Sequence, residues 1–293
     1  PPPNTPPPPT ANNTTAKSSA ASDVYKRQAI DRSLDRPGIE SNNPRGLSES
    51  PHGSPSFSSR VSATAPVAWY DFQDANYTSG VADSTDNSND LNVTGTVASG
   101  PAFRSTTTKS ADFAPNANNN NYFNDGSDNL GTYVKAATAV SLTFSFRWDD
   151  AITTTSPYAK IWGWRNANNT NIISCISQFP GGTSRNLLCV VTGSDDVRRE
   201  PIIDEVADNE VHIITFRYLN KNLSIYVDGS FVTQTNVNTN ELDNTTQVLQ
   251  LGGPTSGGTS TDYAMDHFHI NDYALDASDI VNMHQAYMNE ITL

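Results

Sequence analysis

"MDHFHINDYALDASDI", Met265–Ile280, runs from a strand pattern into a helix start, and its reading decides the fold. Side chains alternate across a strand with period two. Ala264, Asp266, Phe268 and Ile270 therefore fall on one predicted face, with Met265, His267 and His269 on the other. A carboxylate at the head of a core-facing row needs either water at the strand end or a positive partner. Beyond it, Ile280, Met283, His284 and Tyr287 repeat at helical spacing. Asp276 is placed as the N-cap, with Asp279 three residues on as a weaker capping-box partner.

Working outward, the chain from Pro66 is dense in strand-like runs: "VAWYDF", "KSADF", "GTYVKA", "SLTFSFRW", "AKIWGW" and "QVLQLGG". In "SLTFSFRW" (Ser141–Trp148), Leu142, Phe144, Phe146 and Trp148 take one face, and Thr143, Ser145 and Arg147 the other. "NIISCISQ" and "RNLLCVVTG" flank a Gly-rich hairpin loop, "FPGGTS". "EVHIITFRYL" and "NLSIYVDGSFVTQ" form a second hairpin, turning at Asn220–Lys221–Asn222, and Asp228-Gly229 marks a further tight turn. Many short strands and one terminal helix predict an all-β, antiparallel two-sheet jelly-roll sandwich. Phe144, Phe146, Phe216, Tyr218, Ile225, Val227, Phe268 and Ile270 are expected inside.

Residues 1–60 differ in composition. They hold "PPPNTPPPPT" and Ser/Asn/Thr-rich runs that cannot bury enough apolar surface to offset chain entropy, which predicts a disordered tail before a single domain at 61–293. Within that tail "DVYKRQ" (Asp23–Gln28) reads either as the translation of a sequencing-library adapter or as an ordinary polar linker. The absence of an initiator Met leads to the expectation that the gene begins upstream. The formal charge is −13, and the first sixty residues carry seven Lys/Arg against five Asp/Glu, so the remainder is more acidic still. That balance argues against nucleic acid and anionic membranes as partners. No apolar run approaches the ~20 residues of a membrane span.

The order of these pieces resembles the laminin-G-like (LamG) jelly roll of the concanavalin A-like superfamily. "WYDF" stands where the family opens with an aromatic strand, and "DSTDNSNDL" where it has an Asx-rich turn. "EVHIITFRY" and "LSIYVDG" stand for its paired later strands, and "MDHFHINDYALDASDI" for its closing strand and helix. The turn departs from the family at Asp86, Ser88 and Leu91, and two strand tryptophans of the family are here Arg147 and Val211. The resemblance implies an extracellular or cell-surface module that binds a polysaccharide or glycoprotein glycan, or serves adhesion. It also implies that Asp266 comes near the "DSTDNSND" turn, where members of the family often hold a structural calcium. The expected ligands are Asp83, Asn87 and Asp266, because a hard cation takes six to eight oxygens. Asx-rich segments also form turns by bonding their own backbone, with no metal.

Trp162 and Trp164, with Arg165, Asn166 and Asn168 after them, form a candidate sugar platform, since pyranose faces stack on aromatic rings. Two tryptophans at period two equally suit a sandwich core. The "PTSGGTSTDY" loop, Pro254–Tyr263, is the fallback. Cys175 and Cys189 lie equidistant from Gly182, so they face each other if the hairpin turns there, either bridged or as two buried thiols. The same fold carries glycoside hydrolases and polysaccharide lyases. A retaining hydrolase needs two carboxylates ~5–5.5 Å apart. "ELDNTT" (Glu241–Thr246) lacks the second Glu of the usual strand motif, and the acids of "EPIIDEVADNE" have the wrong spacing. The expectation is therefore a non-catalytic module, with a jelly-roll hydrolase or lyase as the alternative and a structural spacer as a third reading.

Overall fold

The computed structural model describes residues 54–107, 109–113, 121–126, 129–148, 158–165, 171–178, 186–204, 206, 209–245, 248–253 and 263–291. The described chain opens with helix α1 (Phe57–Ala63), then strands β1 (Ala68–Tyr70), β2 (Asn92–Thr94), β3 (Ala98–Pro101), β4 (Lys109–Asp112) and β5 (Tyr122–Asn124). Helix α2 (Gly131–Val134) precedes β6 (Ala139–Trp148), β7 (Tyr158–Arg165), β8 (Asn171–Gln178) and β9 (Asn186–Thr192). Two short pieces follow, β10 (Arg198–Arg199) and β11 (Ile202–Ile203), then β12 (Val211–Leu219), β13 (Asn222–Val227) and β14 (Ser230–Asn236). The chain closes with β15 (Val248–Gly252), β16 (Tyr263–Asn271) and helix α3 (Ala277–Glu290).

These strands form two eight-stranded antiparallel sheets. One runs β14-β13-β12-β6-β16-β4-β3, with β1 also on β16. The other runs β10-β9-β8-β7-β15-β5-β2, with β11 on β9. This is the jelly-roll sandwich that the strand spacing predicts. The eight residues expected inside are all buried, in one continuous core between the sheets. Both predicted tight turns have two successive residues at positive φ, Asn220-Lys221 (46° and 75°) and Asp228-Gly229 (49° and 83°). That backbone twist suits two-residue hairpin loops.

Three expectations need correction. "GTYV" is a helical turn, not a strand. Asp276 sits at the N-cap of α3, but its side chain makes no capping bond there. The ordered domain also begins before residue 61. In "SFSSRVSA", Ser56 caps α1 by accepting from the Ser59 backbone N–H. Phe57 and Val61 then bury fully against α3, and the Phe57 ring meets Tyr287 edge-on at 4.9 Å. α1 and α3 together cover the outer face of the first sheet through Ile213, Tyr226, Leu275, Ile280 and Met283. Residues 1–53, including Asp23–Gln28, lie outside the described residues. No helix among the described residues is long and apolar enough to cross a membrane.

Candidate functional site

The closing strand is not a regular alternation. Ala264 pairs with Arg147 and His267 with Ser145, so Met265 and Asp266 together oppose the single residue Phe146. This bulge adds one residue and flips the side-chain order. Met265, Phe268 and Ile270 enter the core between the sheets. Asp266 turns to the helix-covered side, away from the face that alternation predicts for it.

There Asp266 is fully buried and meets a positive partner. Arg104 Nε donates to Asp266 Oδ2 at 2.9 Å, and both side chains are almost wholly excluded from solvent. The Tyr287 hydroxyl donates to Asp266 Oδ1 at 2.6 Å, and the Ser145 hydroxyl donates to the same oxygen. Arg104 also reaches Glu290 Oε2 at 3.4 Å and lies over the Phe57 and Tyr287 rings at 4.8 and 5.4 Å. Burial alone would depress the guanidinium pKa; Asp266, Tyr287 and Glu290 outweigh it and hold it above the ordinary value. The group ties β16, β6, α3 and the 104 segment together. It is a fastening of the helix layer, with no opening to a ligand.

The predicted calcium ligands are not brought together. Asp83 Oδ1 accepts from the Trp69 and Thr85 backbone N–H groups, both at 2.9 Å. Asp83 Oδ2 accepts from the Thr85 hydroxyl at 2.8 Å and the Asn89 N–H at 3.1 Å. Asn87 Nδ2 donates to the Val67 carbonyl at 3.0 Å. Trp69 pairs with His269, so Asp83 braces β1 three residues along from Asp266, roughly 10 Å at the strand rise. The "DSTDNSND" segment is an Asx-bonded turn that pins the opening strand. Among the described residues, no group of three or more His, Cys, Asp or Glu is placed to hold a metal ion.

The tryptophan platform is also overturned. Trp162 and Trp164 are both fully buried, and Trp162 packs edge-on against Phe144 and Phe268 at 5.5 and 5.8 Å. Inter-sheet packing claims the apolar face of β7 because the opposing sheet presents aromatics there. Arg165 ends β7, and of its side chain nothing is described; Asn166, Asn168 and residues 254–262 of the fallback loop lie outside the described residues. In "ELDNTT", Asp243 is buried and accepts from the Thr245 N–H and hydroxyl at 3.1 and 2.8 Å, which makes it a turn cap. Cys175 and Cys189 are paired across β8 and β9 and are both free and buried. His267 and His269, which alternation sets opposite the core-facing row, are fully buried under the helices, with His267 Nε2 2.6 Å from His269 Nδ1.

Beside the opening strand the described residues form a cleft of about 440 Å³, lined by Asp74, Asn76, Ser79 and Asp90 together with Ala75 and Gly80–Ala82. Its frame is stiff. The Tyr77 hydroxyl donates to the Phe72 carbonyl at 2.6 Å, and the Tyr70 hydroxyl to the Asn89 carbonyl at 2.5 Å. Burial first, then Asp83, Asp125 and Asp90, push the Tyr70 phenol well above its usual pKa, so it remains a donor. Val81 and Leu91 exchange both backbone hydrogen bonds at 2.9 Å. Gly80 sits at φ 98°, and a Cβ there would stand 2.0 Å from the Leu91 carbonyl oxygen. Asp90 Oδ1 accepts from the Asp83 N–H at 2.8 Å, and Asn76 Oδ1 from the Thr78 hydroxyl at 2.9 Å. Asp74, Asn76, Ser79 and Asp90 are all exposed, on an anchored backbone. Sequence reading passed over this run because it has no periodicity. The signal available was a polar stretch, "DANYTSG", interrupted by one Tyr and closed by a Gly.

The two packed antiparallel sheets define a jelly roll. Residues 167–281 match a laminin-G family model described as the concanavalin A-like lectin/glucanases superfamily; that span takes in "EVHIITFRY", "LSIYVDG" and the closing motif, and leaves "WYDF" and the Asx-rich turn outside it. No curated protein sequence matches the chain. Among solved structures, the binding domain of botulinum neurotoxin serotype G superposes with a TM-score of 0.56 at 14% identity, over 75% of this chain and 50% of that one. A botulinum neurotoxin type C structure, reported for cell entry dependent on two ganglioside molecules, gives 0.60 at 12% identity, over 78% and 52%. The binding domain of neurotoxin DC in complex with SialylT gives 0.57 at 13% identity, over 76% and 51%. This chain spans about half the length of each, and at such identities the likeness is one of fold.

Proposed function

We propose that this domain is a non-catalytic, extracellular glycan-binding module, and that the Asp74–Asn76–Asp90 cleft is where a glycan binds. The carrying observation is the chemistry of that cleft. Its volume is within the ~300–1,000 Å³ usual for small-ligand sites, but its lining is mainly polar, with Asp74, Asn76, Ser79 and Asp90 set beside Ala75, Val81 and Ala82. Such a lining suits a neutral polyol, whose hydroxyls donate to Asp74 and Asp90 and accept from the Asn76 amide. It disfavours anionic ligands. The stiff backbone supports the reading, because little ordering entropy is then lost on binding. Solved structures reported with gangliosides or SialylT support glycan binding at the level of fold alone, since those sugars are anionic and this cleft is read as a site for a neutral one.

An enzymatic alternative on the same fold is a glycoside hydrolase or polysaccharide lyase. Against it stands Asp243, the acid nearest to a hydrolase motif, which is spent on its own turn. A glycan array, run beside incubation with marine and plant polysaccharides, separates the readings. Bound glycan with no new reducing ends or unsaturated sugars supports the module. New chain ends would establish an enzyme, and a blank array would favour an adhesion spacer.

A further inference from the structure

We propose that Cys175 and Cys189 are a cross-strand disulfide site, closed while the chain folds in an oxidising compartment so that β8 is clamped to β9. The two residues are directly opposed in the β8–β9 register. The Cys189 N–H donates to the Pro201 carbonyl at 2.9 Å, on the far side of β9. In an antiparallel strand a residue's N–H and C=O point the same way, so neither group of Cys189 bonds β8. The pair is therefore of the non-hydrogen-bonded kind, whose Cα atoms lie ~4.5 Å apart. That is inside the ~4.4–6.8 Å span of disulfides, and no backbone shift is needed to reach it. Both side chains enter the core between the sheets.

The position gives such a bond a purpose. Among the described residues, β9 is followed toward the sheet edge by two-residue strands, β10 and β11. Backbone pairing there is short, and a covalent tie makes the last long hairpin of the sheet cohere. The reaction breaks two S–H bonds and forms one S–S bond. Two protons and two electrons pass to a low-molecular-weight disulfide such as oxidised glutathione, which leaves as two thiols. Access dictates the timing. In the closed sandwich both sulfurs are fully buried, and burial pushes the Cys189 thiol well above its usual pKa, leaving little thiolate to attack. The bond must form before the sheets close, and afterwards the core shields it from reductants.

The test refolds the denatured, reduced full chain in parallel, in a mixture of oxidised and reduced glutathione and in excess reductant. The folded fraction is then denatured, its thiols are capped with a maleimide, and its peptides are mapped by mass spectrometry. The expected result is a bridged Cys175–Cys189 peptide with neither cysteine capped, and a melting temperature several degrees above that of the reduced form. Cys189→Ala should melt equally in both media. Two capped thiols in the glutathione-refolded protein would overturn the proposal, and so would a bridged form that melts no higher than the reduced one. Both readouts use the unaltered chain, so a poorly folding variant does not blunt the test.

Discussion

Replacing Asp266 with Ala removes one acceptor and strands three donors: Arg104 Nε, the Ser145 hydroxyl and the Tyr287 hydroxyl. The guanidinium is the costly one, because it stays charged and buried with the 3.4 Å contact to Glu290 and two aromatic rings in place of its main carboxylate. Breaking a buried ion pair from one side costs about 3–5 kcal/mol. The two hydroxyls would each cost about 1–3 kcal/mol if left unpaired, but they share one network and do not add to that figure in full. A loss of about 4 kcal/mol, at about 2–4 °C per kcal/mol for a domain of this size, lowers Tm by roughly 8–16 °C. Thermal melting followed by circular dichroism at neutral pH reads this directly. Pairing Asp266→Leu with Arg104→Met should recover most of the loss, since an apolar replacement of a buried pair is often neutral or better. The fall should be the same in chelator and in millimolar calcium. An Asp266→Ala protein melting within about 2 °C of the parent would refute the buried-pair account. A fall seen only with calcium would put a cation on Asp266 instead.

Trp164→Ala should cost about 3–5 kcal/mol, as for a core indole, whereas a surface platform residue would leave Tm nearly unchanged. Acid should loosen the helix layer. Burial, then the neighbouring His284, lowers the His269 pKa to about 3, and burial lowers His284 to about 4 against a partial opposing pull from Asp228. His267 is held well below the usual value by burial, then by His269, Arg104 and His284. The unfolded chain takes up protons at about 6.5 while the folded one does not, so stability is full above that pH. It is lost as pH falls toward 4, by up to about 1.4 kcal/mol per unit per histidine. Melting at pH 7.5 and pH 5 checks this, and equal Tm values would contradict it. Gly80→Ala should destabilise the cleft turn, because both the positive φ and the Leu91 carbonyl oppose a Cβ, and faster amide exchange at Val81 and Leu91 is the readout.

Much of the fold was legible because β6 alternates apolar and small polar residues, with Leu142, Phe144, Phe146 and Trp148 facing the other sheet and Ser141, Thr143 and Ser145 buried on the opposite face. The Cys175–Cys189 register was legible for a similar reason: a hairpin centre fixes every pair beyond it. The bulge at Met265-Asp266 was not. It carries no Gly or Pro, and alternation is the very signal that it breaks. His267 and His269 look like surface residues locally. What buries them includes α1, some two hundred positions earlier, and Phe57 meets the His267 ring at 4.6 Å. The separation of Asp83 and Asn87 from Asp266 was hidden for a related reason, since an Asx-rich run serves a metal or its own backbone equally well until the donors around it are known. Trp162 and Trp164 illustrate the opposite limit, where one pattern suits core and platform alike and only the opposing sheet decides.

The central functional claim is that a neutral glycan binds in the Asp74–Asn76–Asp90 cleft. Calorimetric titration of the strongest array ligand against the parent chain and against Asp74→Ala and Asn76→Ala tests it most directly. Both residues are exposed, so neither change should move Tm by more than about 2 °C, the scale of an ordinary surface substitution. The account predicts that each variant loses at least about tenfold in affinity, the ~1.4 kcal/mol expected when a hydrogen bond to a sugar hydroxyl is removed. Undiminished binding by both variants would contradict the cleft assignment, and the absence of any glycan ligand for the parent would contradict the function itself.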